Sequence, residues 1–161
     1  MKRLILSLLA LGCITLAQAQ QKTTLAECNG DTVAYLKKNF VEGKQRFIGQ
    51  PASLILDEWR SQLPVGKLIF GSTGWQRDKS KEDLIDGIVL YFITNEELGL
   101  RDMQKKPYTI LNISLAPPYH DNIWDIYHLQ DSENETLGPK LYDRIKDYIV
   151  TDVSDFEMRR Q

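Results

Sequence analysis

Arg46-Phe47-Ile48-Gly49-Gln50-Pro51-Ala52-Ser53-Leu54-Ile55-Leu56-Asp57-Glu58-Trp59-Arg60-Ser61-Gln62-Leu63 is the stretch in which the local rules of folding agree most closely. Pro51 suits the first helical position, because its fixed φ fits a helix and its missing N–H has no partner to lose there. Gly49 permits a sharp turn just before it. Ala52, Ile55, Leu56, Trp59 and Leu63 then recur three and four apart and draw one apolar stripe. Pro64 stops the helix. A helix over 51–62 with five core residues follows, and the rest of the chain is read against it.

Upstream, residues 1–19 have the form of an export signal. Lys2 and Arg3 supply a charged start, residues 4–16 an apolar run, and Ala17-Gln18-Ala19 a small-x-small cleavage site, so the processed chain begins at Gln20. The run is shorter than the roughly 20 apolar residues that span ~30 Å of hydrocarbon. Ala10-Leu11-Gly12-Cys13 loosely resembles a lipobox, which gives lipid anchoring at Cys13 as the alternative.

Without its leader the chain carries 18 basic and 22 acidic residues, a net charge of −4, with the two signs interspersed. Nucleic-acid binding requires a basic stripe, and none is present. Cys28 is the one cysteine left after cleavage, so no internal disulfide is possible and the core must hold itself together. No further apolar run approaches spanning length.

Residues 20–30 read as a loose polar leader. Asp31 is placed to cap a first helix over 32–42, with Val33, Leu36 and Phe40 at helical spacing and Gly43 as its stop. After Pro64 the period changes. Residues 67–70 form a short strand, and 84–94 a longer one whose segment 88–93 is apolar throughout; Gly87 within it predicts a bulge or a close backbone approach. A short helical segment follows Asn95. Residues 108–116 alternate, with Thr109, Leu111, Ile113 and Leu115 on one face and Asn112 and Ser114 on the other, as in a half-buried antiparallel strand. The segment 121–131 fits a helix capped by Asp121, with Ile123, Trp124 and Tyr127 on one face, and also a strand, in which Ile123, Asp125, Tyr127 and Leu129 alternate; helix is the preferred reading. A helix over 137–142 and a closing strand over 145–153 complete the chain. The order predicts one α+β domain over 31–161, a small antiparallel sheet of three or four strands with the two N-terminal helices packed on one face.

Two groups of residues could carry function. His120, Asp121, Asp125 and His128 lie close in sequence, and on a helix Asp121, Asp125 and His128 fall at i, i+4 and i+7, which offers two carboxylates and an imidazole to a metal. Zinc helices instead pair histidines four apart with further ligands, so the plain alternative is a solvated face with a capping Asp. Trp75 and Arg77 sit in a polar loop, where both types could anchor a sugar or a protein partner; a lone loop Trp more commonly folds back over the core. Cys28 has no activating base in sight. There is no Gly-x-Ser-x-Gly or Ser-x-x-Lys, and Gly71-Ser72-Thr73-Gly74 lacks the lysine of a phosphate loop. No cofactor motif is present.

With Phe47-Ile48-Gly49-Gln50-Pro51 before an apolar helix, Val89-Leu90-Tyr91-Phe92-Ile93-Thr94 before Glu96-Glu97, Pro117-Pro118 before a short helix, and the late Ile149-Val150, the chain resembles small exported proteins of unknown function from Bacteroidota-like bacteria. That resemblance implies a compact exported domain and supplies no catalytic residue. The leading expectation is a non-enzymatic exported domain that binds a protein or glycan partner at the cell envelope. Its rival is a small metal-assisted envelope hydrolase built on His120, Asp121, Asp125 and His128.

Overall fold

The computed structural model describes residues 22–63, 66–73, 83–119, 121–133 and 136–158. The fold is α+β, as the order of elements predicts. Four strands, β1 (Lys67–Ser72), β2 (Ile85–Tyr91), β3 (Tyr108–Leu115) and β4 (Val150–Met158), form one antiparallel sheet in sequence order. Around it are α1 (Thr32–Leu36), α2 (Ala52–Gln62), α3 (Asn95–Met103), α4 (Ile123–Glu133) and α5 (Pro139–Ile145). None of the described helices is long and apolar enough to cross a membrane.

Register explains the core. Leu68, Leu90 and Leu111 stand in one row across β1, β2 and β3, and Phe70, Ile88, Ile113 and Val153 in another across all four strands. Side chains alternate along a strand, so both rows share one face. All seven are buried, and they belong to the same cluster as Tyr35, Leu36 and Phe40 from the N-terminal helical segment and the five stripe residues of 52–63. The alternation read in β3 is the one observed, with Leu111, Ile113 and Leu115 inward.

The stretch 46–63 behaves as read, with one shift. Gly49 has φ +75°, the left-handed turn that its missing Cβ permits. Pro51 sits one position earlier than expected, at the N-cap, with an extended ψ of 147° and a bridge to Ile149. That shift has a cause in the backbone. Gly49 N–H donates to Val150 O at 2.8 Å, and Val150 N–H to Gln50 O at 2.9 Å. Just inside the helix, Ala52 N–H reaches Tyr148 O at 2.7 Å and Ser53 N–H reaches Lys146 O at 2.8 Å. Helix starts leave their first N–H groups without partners, and here the chain end of α5 satisfies two of them.

Several boundaries differ from expectation. The first helix is α-helical only to Leu36 and continues as a π-helical turn over Lys37–Glu42. Tyr35 and Leu36 from the α-helical part and Asn39 and Phe40 from the π turn are buried, while Val33, an expected core residue, is about half exposed. Asp31 caps it as read, accepting from Ala34 N–H at 3.0 Å. Strand β2 ends at Tyr91 rather than at position 94. Phe92 turns away to stack on Trp59 at 4.3 Å, and Thr94 caps α3 by accepting from Glu97 N–H at 3.1 Å. Around Gly87 both anticipated features occur. Gly71 pairs with Gly87 and Ser72 with Ile85, so Asp86 is an extra residue, and a Cβ on Gly87 would stand 3.2 Å from Ile113 O. The closing strand begins at Val150 instead of 145 because α5 runs on through Ile145, which extends the buried spacing set by Leu141.

The segment expected to be a loose leader is tied down from residue 22 onward. The amide of Asn39 grips the backbone of Thr23 from both sides, accepting from its N–H at 2.9 Å and donating to its O at 2.8 Å. Leu25 N–H donates to Gln62 Oε1 at 3.2 Å. Beneath lies the buried Glu58, held by two bonds from Arg46 at 3.1 and 3.0 Å and approached by Lys22 at 3.7 Å.

Two stability predictions follow from this geometry. Gly49→Val forces a β-branched residue into a left-handed conformation that costs about 1–2 kcal/mol or more. Thermal unfolding should shift down by several degrees; an unchanged midpoint would mean the turn is relaxed in solution. Tyr35 is fully buried, and its hydroxyl is without a hydrogen-bond partner among the described residues. Tyr35→Phe should therefore be neutral or slightly stabilising in chemical denaturation, since it removes a desolvated donor and keeps the ring. A loss above about 1 kcal/mol would reveal a bond to that hydroxyl.

Candidate functional site

Strand β1 is an edge strand, and α4 seals it. Tyr127 Oη accepts from Phe70 N–H at 3.4 Å, and Gln130 Nε2 donates to Leu68 O at 3.4 Å. Ahead of α4, the backbone at 121–123 runs antiparallel to 83–85: Ile85 N–H donates to Asp121 O at 2.9 Å and Ile123 N–H to Asp83 O at 2.8 Å. Asp121 is thereby fixed beside the end of α5.

Asp121 is not the cap of α4. Asn122 takes that role, its Oδ1 accepting from Trp124 N–H at 2.9 Å. The Asp121 carboxylate is buried and turned toward α5. Its Oδ1 accepts from Arg144 Nε at 2.6 Å and pairs with Arg144 Nη2; its Oδ2 accepts a short bond from the Tyr148 hydroxyl. Asp121, Asp143, Arg144, Asp147 and Tyr148 line a cleft of about 390 Å³. The hydrogen bond from Arg144 to Asp121, then the charge of Asp121, hold the guanidinium firmly protonated, and Asp125 adds to that field. Burial first, and the bond to Asp121 second, push the Tyr148 hydroxyl far above its ordinary value. Tyr148 is thus a committed donor rather than a base, and both Asp121 oxygens are occupied. Asp143 is paired with Lys146 at 2.9 Å.

Asp125 and His128 are exposed on α4, and Asp125 acts on Arg144 by its charge alone. Among the described residues no group of three or more His, Cys, Asp or Glu side chains could hold a metal ion. His120, Trp75 and Arg77 fall outside the described residues.

One residue without an assigned functional role in the sequence stands out in the structure. Trp124 is 61 % exposed, while Ile123 and Ile126 are buried and Tyr127 is half-buried. A stripe of Ile123, Ile126, Tyr127 and Gln130 at three- and four-residue spacing was the available signal: it faces β1 and leaves Trp124 off the inner face. The Trp124 and Tyr127 rings are 6.4 Å apart at an angle of 59°. Tyr127 is braced from behind by Phe70, edge-on at 5.9 Å.

No family model matches the chain, and neither the curated proteins nor the solved structures contain a match to it.

Tyr148→Phe leaves Asp121 Oδ2 buried and short of a donor, which should cost about 1–3 kcal/mol near neutral pH. The sign of its pH dependence is fixed. The folded state holds the Tyr148 proton more tightly than the unfolded chain, so that stabilisation is present below the ordinary tyrosine value of 10.0 and drains away as pH rises above it. Tyr35, raised to about 12 by burial and then by the Glu58 charge, acts in the same direction. The midpoint difference between wild type and Tyr148→Phe should therefore narrow above about pH 10. A gap that stays constant would place the hydroxyl elsewhere.

Proposed function

We propose that this protein is exported, is processed near Ala19, and serves at the cell envelope as a non-enzymatic domain that binds a protein or glycan partner through the outer face of α4. The observation that carries the reading is the exposed indole of Trp124. Large aromatic rings are costly to leave in water and are the side chains on which binding energy concentrates. The charged groups nearby argue for binding rather than turnover. Asp121 spends both oxygens on Arg144 and Tyr148, which leaves the hydrolase alternative without the carboxylate it needs. The export reading rests on Lys2, Arg3, the apolar run and Ala17-Gln18-Ala19.

Purified processed protein, biotinylated and incubated with envelope fractions of the producing cells, should be retained. Trp124→Ala should lower retention about tenfold, the loss typical of an aromatic anchor, with an unchanged thermal midpoint. Equal retention of the two proteins would remove α4 as the binding face. Mass spectrometry of the protein recovered from cells should find Gln20 at the N-terminus; an acylated Cys13 would replace export in soluble form with lipid anchoring.

A further inference from the structure

The outer face of α4 joins an aromatic pair to an excess of negative charge. The rings of Trp124 and Tyr127 meet at 59°, and Tyr127 cannot easily swing away because Phe70 holds both its ring and its hydroxyl. Asp125 and Asp131 are exposed on the same helix. From 121 to 148 the sequence has seven acidic residues against three basic ones. Arg144 is engaged with Asp121 and Lys146 with Asp143. Ring faces carry the negative end of the aromatic quadrupole, so the indole and the exposed carboxylates of α4 favour the same sign of ligand.

We infer that the Trp124–Tyr127 pair receives a lysine or arginine side chain from an extended basic segment of a protein partner, with the exposed Asp131, four residues on from Tyr127 and seven from Trp124, as the carboxylate on the same helix face. This rests on the partner-binding reading and narrows it to one class of ligand. Charge complementarity decides among the occupants. An anionic partner meets the field of α4 with the wrong sign. A neutral glycan could stack on the indole but would draw nothing from Asp125 or Asp131. A second copy would bring another acidic chain against this face. One cation over an exposed ring is a weak contact, so the partner must present several cations in a row, and binding must weaken with salt.

The test uses the processed full-length protein and the tetrapeptide acetyl-Arg-Arg-Arg-Arg-amide, read by the indole N–H resonance of Trp124, assigned by its loss in Trp124→Phe. The resonance should shift saturably at millimolar peptide. Affinity should fall about fivefold between low and physiological salt and about threefold in Asp131→Asn. Cellotetraose is the neutral comparison. A shift with cellotetraose and none with the peptide overturns the basic-segment inference and leaves partner binding standing, with a glycan as the occupant. A peptide shift that ignores both salt and Asp131→Asn overturns the charge argument. Concentration-dependent dimerisation that moves the same resonance assigns the face to a second copy and also overturns it. If no probe moves the resonance while envelope retention still depends on Trp124, the inference fails alone; if retention is also indifferent to Trp124, the binding reading of α4 fails with it.

Discussion

The fold turns on four backbone hydrogen bonds between 49–53 and 146–150. They tie the start of α2, which brings five of the core residues, to the start of β4, which closes the sheet. Each bond contributes only about 1 kcal/mol net, but the alternative is a buried helix start with unmatched donors, which costs more than the bonds return. The geometry requires the left-handed turn at Gly49 and the extended backbone of Pro51. It also explains why α5 must stop at Ile145: the carbonyls of Lys146 and Tyr148 are needed by α2.

Buried charge is handled in the same way, by filling every acceptor. Glu58 takes two bonds from Arg46, which also donates to Asn39 O at 2.9 Å; Asn39 in turn holds Thr23. Asp121 is served by Arg144 and Tyr148. Breaking one side of such a pair leaves an uncompensated charge, whereas the intact pair is close to neutral in stability. These networks specify how the N-terminal segment and the loop before α4 dock, more than they add to net stability.

What could be read from the sequence divides along the range of the interactions. The stripe of 52–63, the cap at Asp31, the turn at Gly49 and the alternation of β3 depend on neighbours within a few residues, and all were legible. The π-helical turn was not, because no local pattern distinguishes Val33 from Tyr35 as the inward residue; the long-range clamp of Asn39 on Thr23 helps hold it. Asp121 was legible as a residue of interest but not in its role, since its partners lie 23 and 27 residues later in the chain. By spacing alone Trp124 shares a helix face with Ile123 and Tyr127. The correct reading needed the knowledge that α4 seals the edge of β1, a tertiary fact.

That sealing also bears on why Trp124 is outside. A helix that covers a strand edge is held in rotation by the groups it supplies, here Tyr127 Oη to Phe70 and Gln130 Nε2 to Leu68. Once these are fixed, position 124 must point away from the sheet, and any residue there is a surface residue. Stability alone gives little reason for an indole at that position, since most of it stays in water and the Tyr127 ring is its one ring contact among the described residues. Local preference and tertiary role agree along the stripe of α2 and at the caps Asp31 and Thr94; they part at Trp124, as they also do at the exposed Met103 and Phe156. A site where that agreement breaks without a folding reason is where function has left its mark. Gly49 and Pro51 build the scaffold, while the departure from its rules lies on the outer face of α4.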